Sequence, residues 1–298
     1  MTESFDVVLP PGYRVEDVLR FHSRDLESVA EQVTPALIRK GVMLDGVPVV
    51  LSAPLSDRPG PISCSADADG KLTPSLRQHI HAALLNILGL RIDPEPFLDA
   101  VRTDPVMGPL ARRRPGLRIV QSATVFEALT WAIIGQQINL SFAIALRRTF
   151  ILQAGRLHSS GLWCYPEAAD AARLAVEDLT SRKFSRAKAE TLLRFAGLVA
   201  SGELDLTPGP DNNMERIGQR LLAVKGIGPW TVNYGLLRGY GYADCSLHGD
   251  VAVRAALQRL LGDETRPDIA RAERLLQQYQ PHRTMAAAHL WASLAPEE

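Results

Sequence analysis

The sequence predicts an α+β protein in which an N-terminal β-containing domain, residues 1–92, precedes an all-α body, residues 93–298. Near the start, FDVVL, GVMLDGVPVVLS and PISCSADADG have the pattern of short strands, and the last two end in Ser, Asp and Gly clusters. From about Pro94 the alternation typical of strands largely stops, and helical segments follow one another between Pro and Gly residues. A chain of 298 residues is long enough for two domains.

Composition limits the function classes. Hydrophobic residues make up 46% and charged residues 22%, which is typical of a soluble globular protein. Lys+Arg and Asp+Glu both total 33, so no global field attracts a polyanion, and a local site would have to hold one. The chain has no apolar run that could span a bilayer, and its start, MTESFDVVLPPG, lacks the pattern of a signal peptide. We therefore expect a cytoplasmic protein without a membrane partner.

The cysteines exclude further classes. Cys64, Cys164 and Cys245 are few and widely spaced, which argues against a disulfide framework and against a CxxC metal pair. Three thiolates also fall short of the four that an iron–sulfur cluster usually needs.

Individual helices can be predicted from apolar spacing. PSLRQHIHAALLNILGL places Leu76, Ile80, Ala83 and Ile87 at helical intervals, whereas VEDVLRFHSRDLESVAEQV shows no clear strand alternation. TVFEALTWAIIGQQINLSFAIALRRTFILQ is too apolar for a surface helix, and we expect two core helices that are broken near Gly135.

A helix, a glycine bend and a second helix are predicted between residues 211 and 239. Asp211, Asn212 and Asn213 are suitable N-caps for a helix with apolar residues up to Val224. Gly226 and Gly228 in KGIGP permit positive φ and close approach to the backbone, Pro229 suits the start of the next helix, and Gly239 suits its end. The free amides at such a helix start favour an anion such as a DNA phosphate. An ordinary connection between two packed helices explains the same pattern.

Three side chains follow this bend. Trp230 and Tyr234 share one helix face, and Asp250 stands 22 residues after Gly228, directly before DVAVRAALQRLL. By themselves, the aromatic residues fit a core pair and Asp250 fits the N-cap of the following helix.

Together these residues resemble the helix-hairpin-helix DNA glycosylases, and within them DNA-3-methyladenine glycosylase II. The resemblance rests on LLAVKGIGPWTVNYGLLRGY followed by HGD, and on RPGLR, IIGQQI and HRTMAAAHLW elsewhere in the chain. It implies an N-terminal domain similar to the TATA-binding protein and a helix-hairpin-helix glycosylase body.

The resemblance also implies a mechanism. The damaged nucleotide is rotated out of the duplex. Trp230 and Tyr234 would form pocket walls that attract a cationic base by about 0.5–2 kcal/mol each, and Asp250 would be the catalytic carboxylate beside an oxocarbenium-like sugar. Strand-cutting relatives carry a lysine just after the hairpin glycines. Because Trp230 stands there, we expect no lyase activity, and we expect His248 to be a loop residue.

Further residues are assigned by the same resemblance. Gln137 matches the side chain that fills the gap left by the flipped base, Trp291 matches a pocket aromatic residue, and Phe21 would close the pocket from the front domain. The residues predicted to bind DNA besides Gln137 are Lys225, Gly226, Gly228 and Thr231. The basic residues Arg112, Arg113, Arg114, Arg186 and Lys188 fit solvated faces as well as phosphate contacts.

The predicted function is therefore a monofunctional glycosylase of base excision repair that removes alkylated purines from double-stranded DNA. We expect a monomer without an organic cofactor or catalytic metal, although the resemblance allows a structural monovalent cation on hairpin carbonyls. Two alternatives stay open, which are an oxidised-purine glycosylase of the same superfamily and a non-catalytic DNA-binding protein.

Overall fold

The computed structural model describes residues 1–294, and its first part is a five-stranded antiparallel sheet with two packed helices. The elements are β1 Thr2–Leu9, α1 Val15–His22, β2 Glu31–Thr34, β3 Leu37–Leu44, β4 Val47–Pro54, β5 Gly60–Ala68 and α2 Pro74–Ile87. The strands lie in the order β1-β5-β4-β3-β2. This sheet, followed by helices, confirms the predicted α+β class.

The hydrophobic pattern explains the sheet and helix α2. The segment GVMLDGVPVVLS forms most of the β3–β4 hairpin, where Asp45 and Gly46 take positive φ of 52° and 75°, as two-residue hairpin turns require. The predicted apolar positions of α2, from Leu76 to Ile87, are buried against the sheet. The segment without strand alternation contains α1 and the short edge strand β2.

The second part of the chain is mainly helical. Its elements are α3 Glu95–Ala100, α4 Met107–Arg113, α5 Val125–Gly135, α6 Leu140–Ala154, β6 Arg156–Leu157, β7 Trp163–Cys164, α7 Ala168–Ala171, α8 Val176–Thr180, α9 Arg186–Ala200, α10 Met214–Leu222, α11 Pro229–Gly235, a π-helical turn Leu236–Tyr240, α12 Val251–Leu261, α13 Ile269–Gln277 and α14 Arg283–Ala292. None of the helices within residues 1–294 has the length and apolarity needed to cross a membrane.

The prediction of an all-α body was wrong in one detail. Strands β6 and β7 form a two-stranded ribbon that continues onto β3, where the Met43 amide donates to the Tyr165 carbonyl at 2.9 Å and the Tyr165 amide to the Gly41 carbonyl at 3.0 Å. Strands of two residues are too short to show alternation in the sequence. The predicted boundary near residue 92 stays a prediction.

Four buried charges join the sheet to the helices. The Lys40 ammonium on β3 donates to Glu31 at 2.5 Å and to Glu127 on α5 at 2.7 Å, and Arg147 on α6 donates to both carboxylates. Burial acts to raise the pKa of each carboxyl group, but Arg147 and Lys40 outweigh it and hold both pKa values below the usual range. Two carboxylates and two cations balance, so this charge cluster of Glu31, Lys40, Glu127 and Arg147 can be buried.

The break between α5 and α6 exists as predicted and positions the site. α5 ends at Gly135, and α6 begins after Asn139, whose side chain accepts from the Phe142 amide at 2.9 Å. α11 packs closely on α5 because a Cβ at Gly235 would lie only 2.2 Å from Leu129. The α5–α6 loop and the start of α11 therefore face the same cleft.

Candidate active site

The helix-hairpin-helix consists of α10, the glycine bend and α11. Asn213 caps α10 by accepting from the Arg216 amide at 2.9 Å. The predicted end of the second helix at Gly239 was wrong, because α11 continues through the π-helical turn to Gly241, which takes the left-handed cap conformation at φ 65°. Gly239 instead packs on α5, since a Cβ there would lie 3.2 Å from the Val125 Cα.

Glycine occupies the two hairpin positions for different physical reasons. Gly226 takes φ 97°, and a Cβ on it would lie 2.1 Å from the Thr191 hydroxyl oxygen. Gly228 is extended at φ −106°, and a Cβ on it would meet no atom within 4 Å. Gly226 is therefore required by the fold, whereas Gly228 leaves bare backbone open at the cleft. Lys225 beside them is exposed.

A cleft of about 1210 Å³ opens beside the hairpin. Its walls come from Arg24 of the front domain, α5 and the α5–α6 loop, the hairpin, α11 with its π-helical turn, the starts of α6 and α12 and the end of α14. The lining residues are Arg24, Trp131, Gly135, Gln136, Gln137, Ile138, Asn139, Leu140, Ala143, Gly226, Gly228, Pro229, Trp230, Thr231, Tyr234, Arg238, Gly249, Asp250, Val251, Ala252, Ala255 and Trp291.

Asp250 is both an N-cap and a member of this cleft. Its Oδ1 accepts from the Val253 amide at 2.9 Å and from the Trp291 indole N–H at 3.1 Å. Its Oδ2 accepts from the Trp230 indole N–H at 2.8 Å. A carboxylate offers about four acceptor positions, so these three donors fix its orientation and leave it able to accept another contact. Asp250 therefore does more than hold the start of α12.

The predicted aromatic residues form one wall. The rings of Trp230 and Tyr234 stack with centroids 5.1 Å apart, and Trp291 lies 6.4 Å from Tyr234. Tyr234 is buried, and its hydroxyl accepts from the Trp131 indole N–H at 3.2 Å. Burial acts to raise the pKa of Tyr234, but Arg238 and Arg24 outweigh it and hold the pKa below its usual value.

The predicted place of Phe21 differs from the one observed. Phe21 is not among the described residues that line the cleft. Its ring lies behind Arg24 and Arg238, which do line the cleft. The guanidinium carbons of Arg24 and Arg238 stand 4.5 Å and 4.8 Å from its centroid. Phe21 instead lines two smaller adjoining cavities.

The α5–α6 loop reaches the hairpin through Gln136. Its amide nitrogen donates to the Gly226 carbonyl at 3.0 Å and to the Thr231 hydroxyl at 2.9 Å. Thr231 is only 2% exposed and its hydroxyl is held by Gln136, so the structure gives it no exposed surface for the predicted contact with DNA. Gln137, the predicted gap-filling residue, is exposed at the rim and takes φ 55°.

Other residues considered in the sequence are not among the described residues that line the cleft. The Lys188 ammonium donates to the Ile134 and Gln136 carbonyls at 2.5 Å and 2.9 Å, and so caps α5. His248 is held by Ser246 at 2.8 Å. The Arg112–Arg114 run ends α4, and Arg186 faces Glu177 and Glu190. Within residues 1–294 no group of three His, Cys, Asp or Glu side chains could hold a metal.

Comparison with known proteins decides the family. The family model described as "HhH-GPD superfamily base excision DNA repair protein" matches residues 130–282, which is just over half of the chain. The chain belongs to this superfamily. The match confirms the predicted family, and with it the prediction of a base excision repair glycosylase whose partner is DNA.

Individual proteins to which this HhH-GPD protein is similar are named as DNA glycosylases. A DNA-3-methyladenine glycosylase of Bacillus subtilis (strain 168) is 31% identical over 205 residues, 68% of each chain. The structure resembles a 3-methyladenine DNA glycosylase from Archaeoglobus fulgidus, with TM-score 0.79 and 23% identity over 97% of both chains. It also resembles the DNA-bound 8-oxoguanine glycosylase/lyase of Clostridium acetobutylicum, with TM-score 0.70 and 15% identity over 98% of this chain and 97% of that one. The last two likenesses show the fold alone.

The cleft residues of the HhH-GPD protein that were not predicted from sequence include Arg24, Trp131, Gln136 and Arg238. Arg238 carried a usable signal, because Trp230, Tyr234 and Arg238 recur every four residues on one helix face. Gln136 and Trp131 lie beside the predicted break near Gly135, but no local pattern indicates which neighbour faces the hairpin. Arg24 comes from the front domain, and its contact is visible only in the folded chain.

Proposed function

We propose that this chain is a monofunctional DNA glycosylase that removes alkylated purines from double-stranded DNA by hydrolysing the N-glycosidic bond. The observation that supports this most is the convergence of Asp250, Trp230 and Trp291, in which two indole N–H groups aim one carboxylate into an aromatic cleft. A carboxylate so held can stabilise a cationic sugar or accept a proton from the attacking water.

We also propose that the enzyme does not cleave the DNA strand. A lyase needs an amine that forms a Schiff base with the sugar. No lysine is among the described residues that line the cleft, and Trp230 occupies the position just after the hairpin glycines. The open surface at Gly228 supports a backbone grip on a DNA phosphate.

We expect the protein to act as a cytoplasmic monomer without an organic cofactor or catalytic metal. A monovalent cation on hairpin carbonyls remains part of the proposal, and the Gly226 carbonyl already accepts one hydrogen bond from Gln136. Its second acceptor position can still serve such an ion.

Incubation with methylated double-stranded DNA tests the proposal. Chromatography should detect released 3-methyladenine or 7-methylguanine, and the strand should break only after alkali treatment. Release of 8-oxoguanine with strand cleavage in the absence of alkali would support the oxidised-purine alternative. Binding of the DNA without release of any base would support the non-catalytic alternative.

A further inference from the structure

Arg238 is a buried cation at the base of the cleft, and neither the family match nor the roles predicted from sequence use it. Its side chain is 9% exposed and lines the cleft. No carboxylate within the described chain pairs with it, and its Nε has no hydrogen-bond partner there. Nη1 donates to the Val120 carbonyl, and the Tyr234 phenol is a further hydrogen-bonding partner of the guanidinium. Neither group is a carboxylate, and a buried cation without a carboxylate is costly, so its retention in a cleft points to a ligand.

The rings around Arg238 are those of the cleft wall. The guanidinium carbon lies 5.7 Å from the Tyr234 centroid and 5.6 Å from the Trp291 centroid. Both distances are within the range of cation–π attraction. Arg238 therefore takes part of the cation–π attraction that these rings would otherwise offer to a cationic base.

Asp250 and Arg238 are linked through one indole. The Trp291 N–H donates to Asp250, and the Trp291 ring faces Arg238. A nucleotide that placed its sugar at Asp250 and its base against the Tyr234 and Trp291 rings would have a negative group at the sugar and a positive group at the base. This is the polarity that breaking the glycosidic bond requires.

On this basis we propose that Arg238 stabilises the electron pair that the departing base receives, and that it thereby sets the rate at which uncharged bases are released relative to cationic bases. The proposal rests on the proposed glycosylase function. The C1′–N9 bond breaks and its electron pair passes to the base nitrogen, while a water oxygen bonds to C1′ and its proton passes to Asp250 or to solvent. A cationic base leaves as a neutral molecule. An uncharged base leaves as an anion, which then takes a proton from solvent, and it gains most from a fixed cation.

Neutralising Arg238 should therefore change selectivity. Single-turnover rates of base release are compared for duplexes that carry 7-methylguanine, which is cationic in DNA, or hypoxanthine, which is uncharged. In Arg238→Gln and Arg238→Met, the ratio of the 7-methylguanine rate to the hypoxanthine rate should rise by about ten-fold or more. Met retains packing against the aromatic rings, so it serves as a second neutral variant, and thermal unfolding identifies which variants are folded. Arg238→Lys keeps the charge and should stay within about three-fold of the wild-type ratio.

Arg118 offers a matched control. It is half-buried, its Nη1 faces the Ile92 carbonyl at 3.4 Å, and its Nε also lacks a partner within the described chain. However, Arg118 lines the smaller adjoining cavity rather than the cleft. Arg118→Gln should leave the ratio of the two rates unchanged.

The outcomes separate this inference from the function on which it rests. Wild-type protein that releases neither base from DNA would overturn the proposed function. Wild-type protein that releases 7-methylguanine but no hypoxanthine would overturn only the role of Arg238. The role of Arg238 would also be overturned if a folded neutral variant kept the wild-type ratio within two-fold. A shift of the ratio in Arg238→Lys as large as that in Arg238→Gln would overturn it too.

Discussion

Single residues in this protein carry more than one role, and Asp250 shows this most clearly. It caps α12 through the Val253 amide and also accepts from two indole N–H groups. The N-cap was the simplest interpretation of Asp250 from sequence, and it is correct but incomplete. The capped Val253 amide is only three residues from Asp250, so the cap is visible in the local sequence. Trp230 and Trp291 lie 20 and 41 residues away along the chain.

Replacing Asp250 with Asn separates these roles. Asn remains a good N-cap, but its amide nitrogen would face the Trp230 N–H that Oδ2 accepts, so the thermal unfolding midpoint should fall modestly. Release of alkylated base should fall by ~10²- to 10⁴-fold because the carboxylate is lost, while binding to damaged duplex is retained. Chromatographic base release and a DNA-binding titration measure both effects. Near-normal release would contradict the catalytic assignment.

At the scale of elements, the hairpin shows how two similar glycines differ. Both were predicted to permit positive φ and close approach. Only Gly226 takes positive φ, and Thr191 on α9 leaves no space for a Cβ there. Gly228 meets no neighbour, so its missing side chain matters only to a molecule from outside. The sequence marks both positions, but the neighbour that distinguishes them comes from a different helix.

The two glycines can be tested as a pair. Gly226→Ala should lower the free energy of unfolding by about 1–3 kcal/mol, because it adds backbone strain and a clash with Thr191. Gly228→Ala should leave stability unchanged and weaken DNA binding. Urea unfolding and a duplex-binding titration measure the two effects. Equal loss of stability in both variants would contradict this division.

At the scale of the whole molecule, the charge cluster of Glu31, Lys40, Glu127 and Arg147 connects the sheet to α5 and α6. Lys40→Met should lower the free energy of unfolding by about 3–5 kcal/mol, because it leaves an excess of buried negative charge. Arg77→Ala removes only a surface contact to Glu3 and should not shift the urea midpoint measurably. A small effect of Lys40→Met would show that the cluster does not stabilise the connection.

Stability should also depend on pH through buried histidines. Burial, together with nearby Lys40, lowers the pKa of His22 to about 4, and burial together with Arg114 lowers the pKa of His289 to about 4. The unfolded chain binds these protons near pH 6.5 and the native state does not, so stability falls as pH drops from about 6.5 towards 4. Each histidine can contribute on the order of 3 kcal/mol.

Urea unfolding between pH 7.5 and 5 measures this loss, and His22→Gln should reduce its slope. The depressed carboxyl pKa values of Glu31 and Glu127 add their loss only below about pH 4.5, where unfolded carboxylates take up protons. A constant free energy of unfolding from pH 7 to 5 would contradict the role of the histidines.

The sequence by itself determined the α+β class, the helix-hairpin-helix and the helix break near Gly135, and it singled out Asp250, Trp230, Tyr234 and Trp291, which the structure brings together in one cleft. These features follow from hydrophobic period, caps and glycines, which act over a few residues, or from motifs that resemble a family. Only the tertiary structure decided that Phe21 lies behind Arg24 and Arg238, that Thr231 faces inward to Gln136, and that a cation lies at the base of the cleft. Such contacts join side chains far apart in the chain, and packing rather than local pattern selects them.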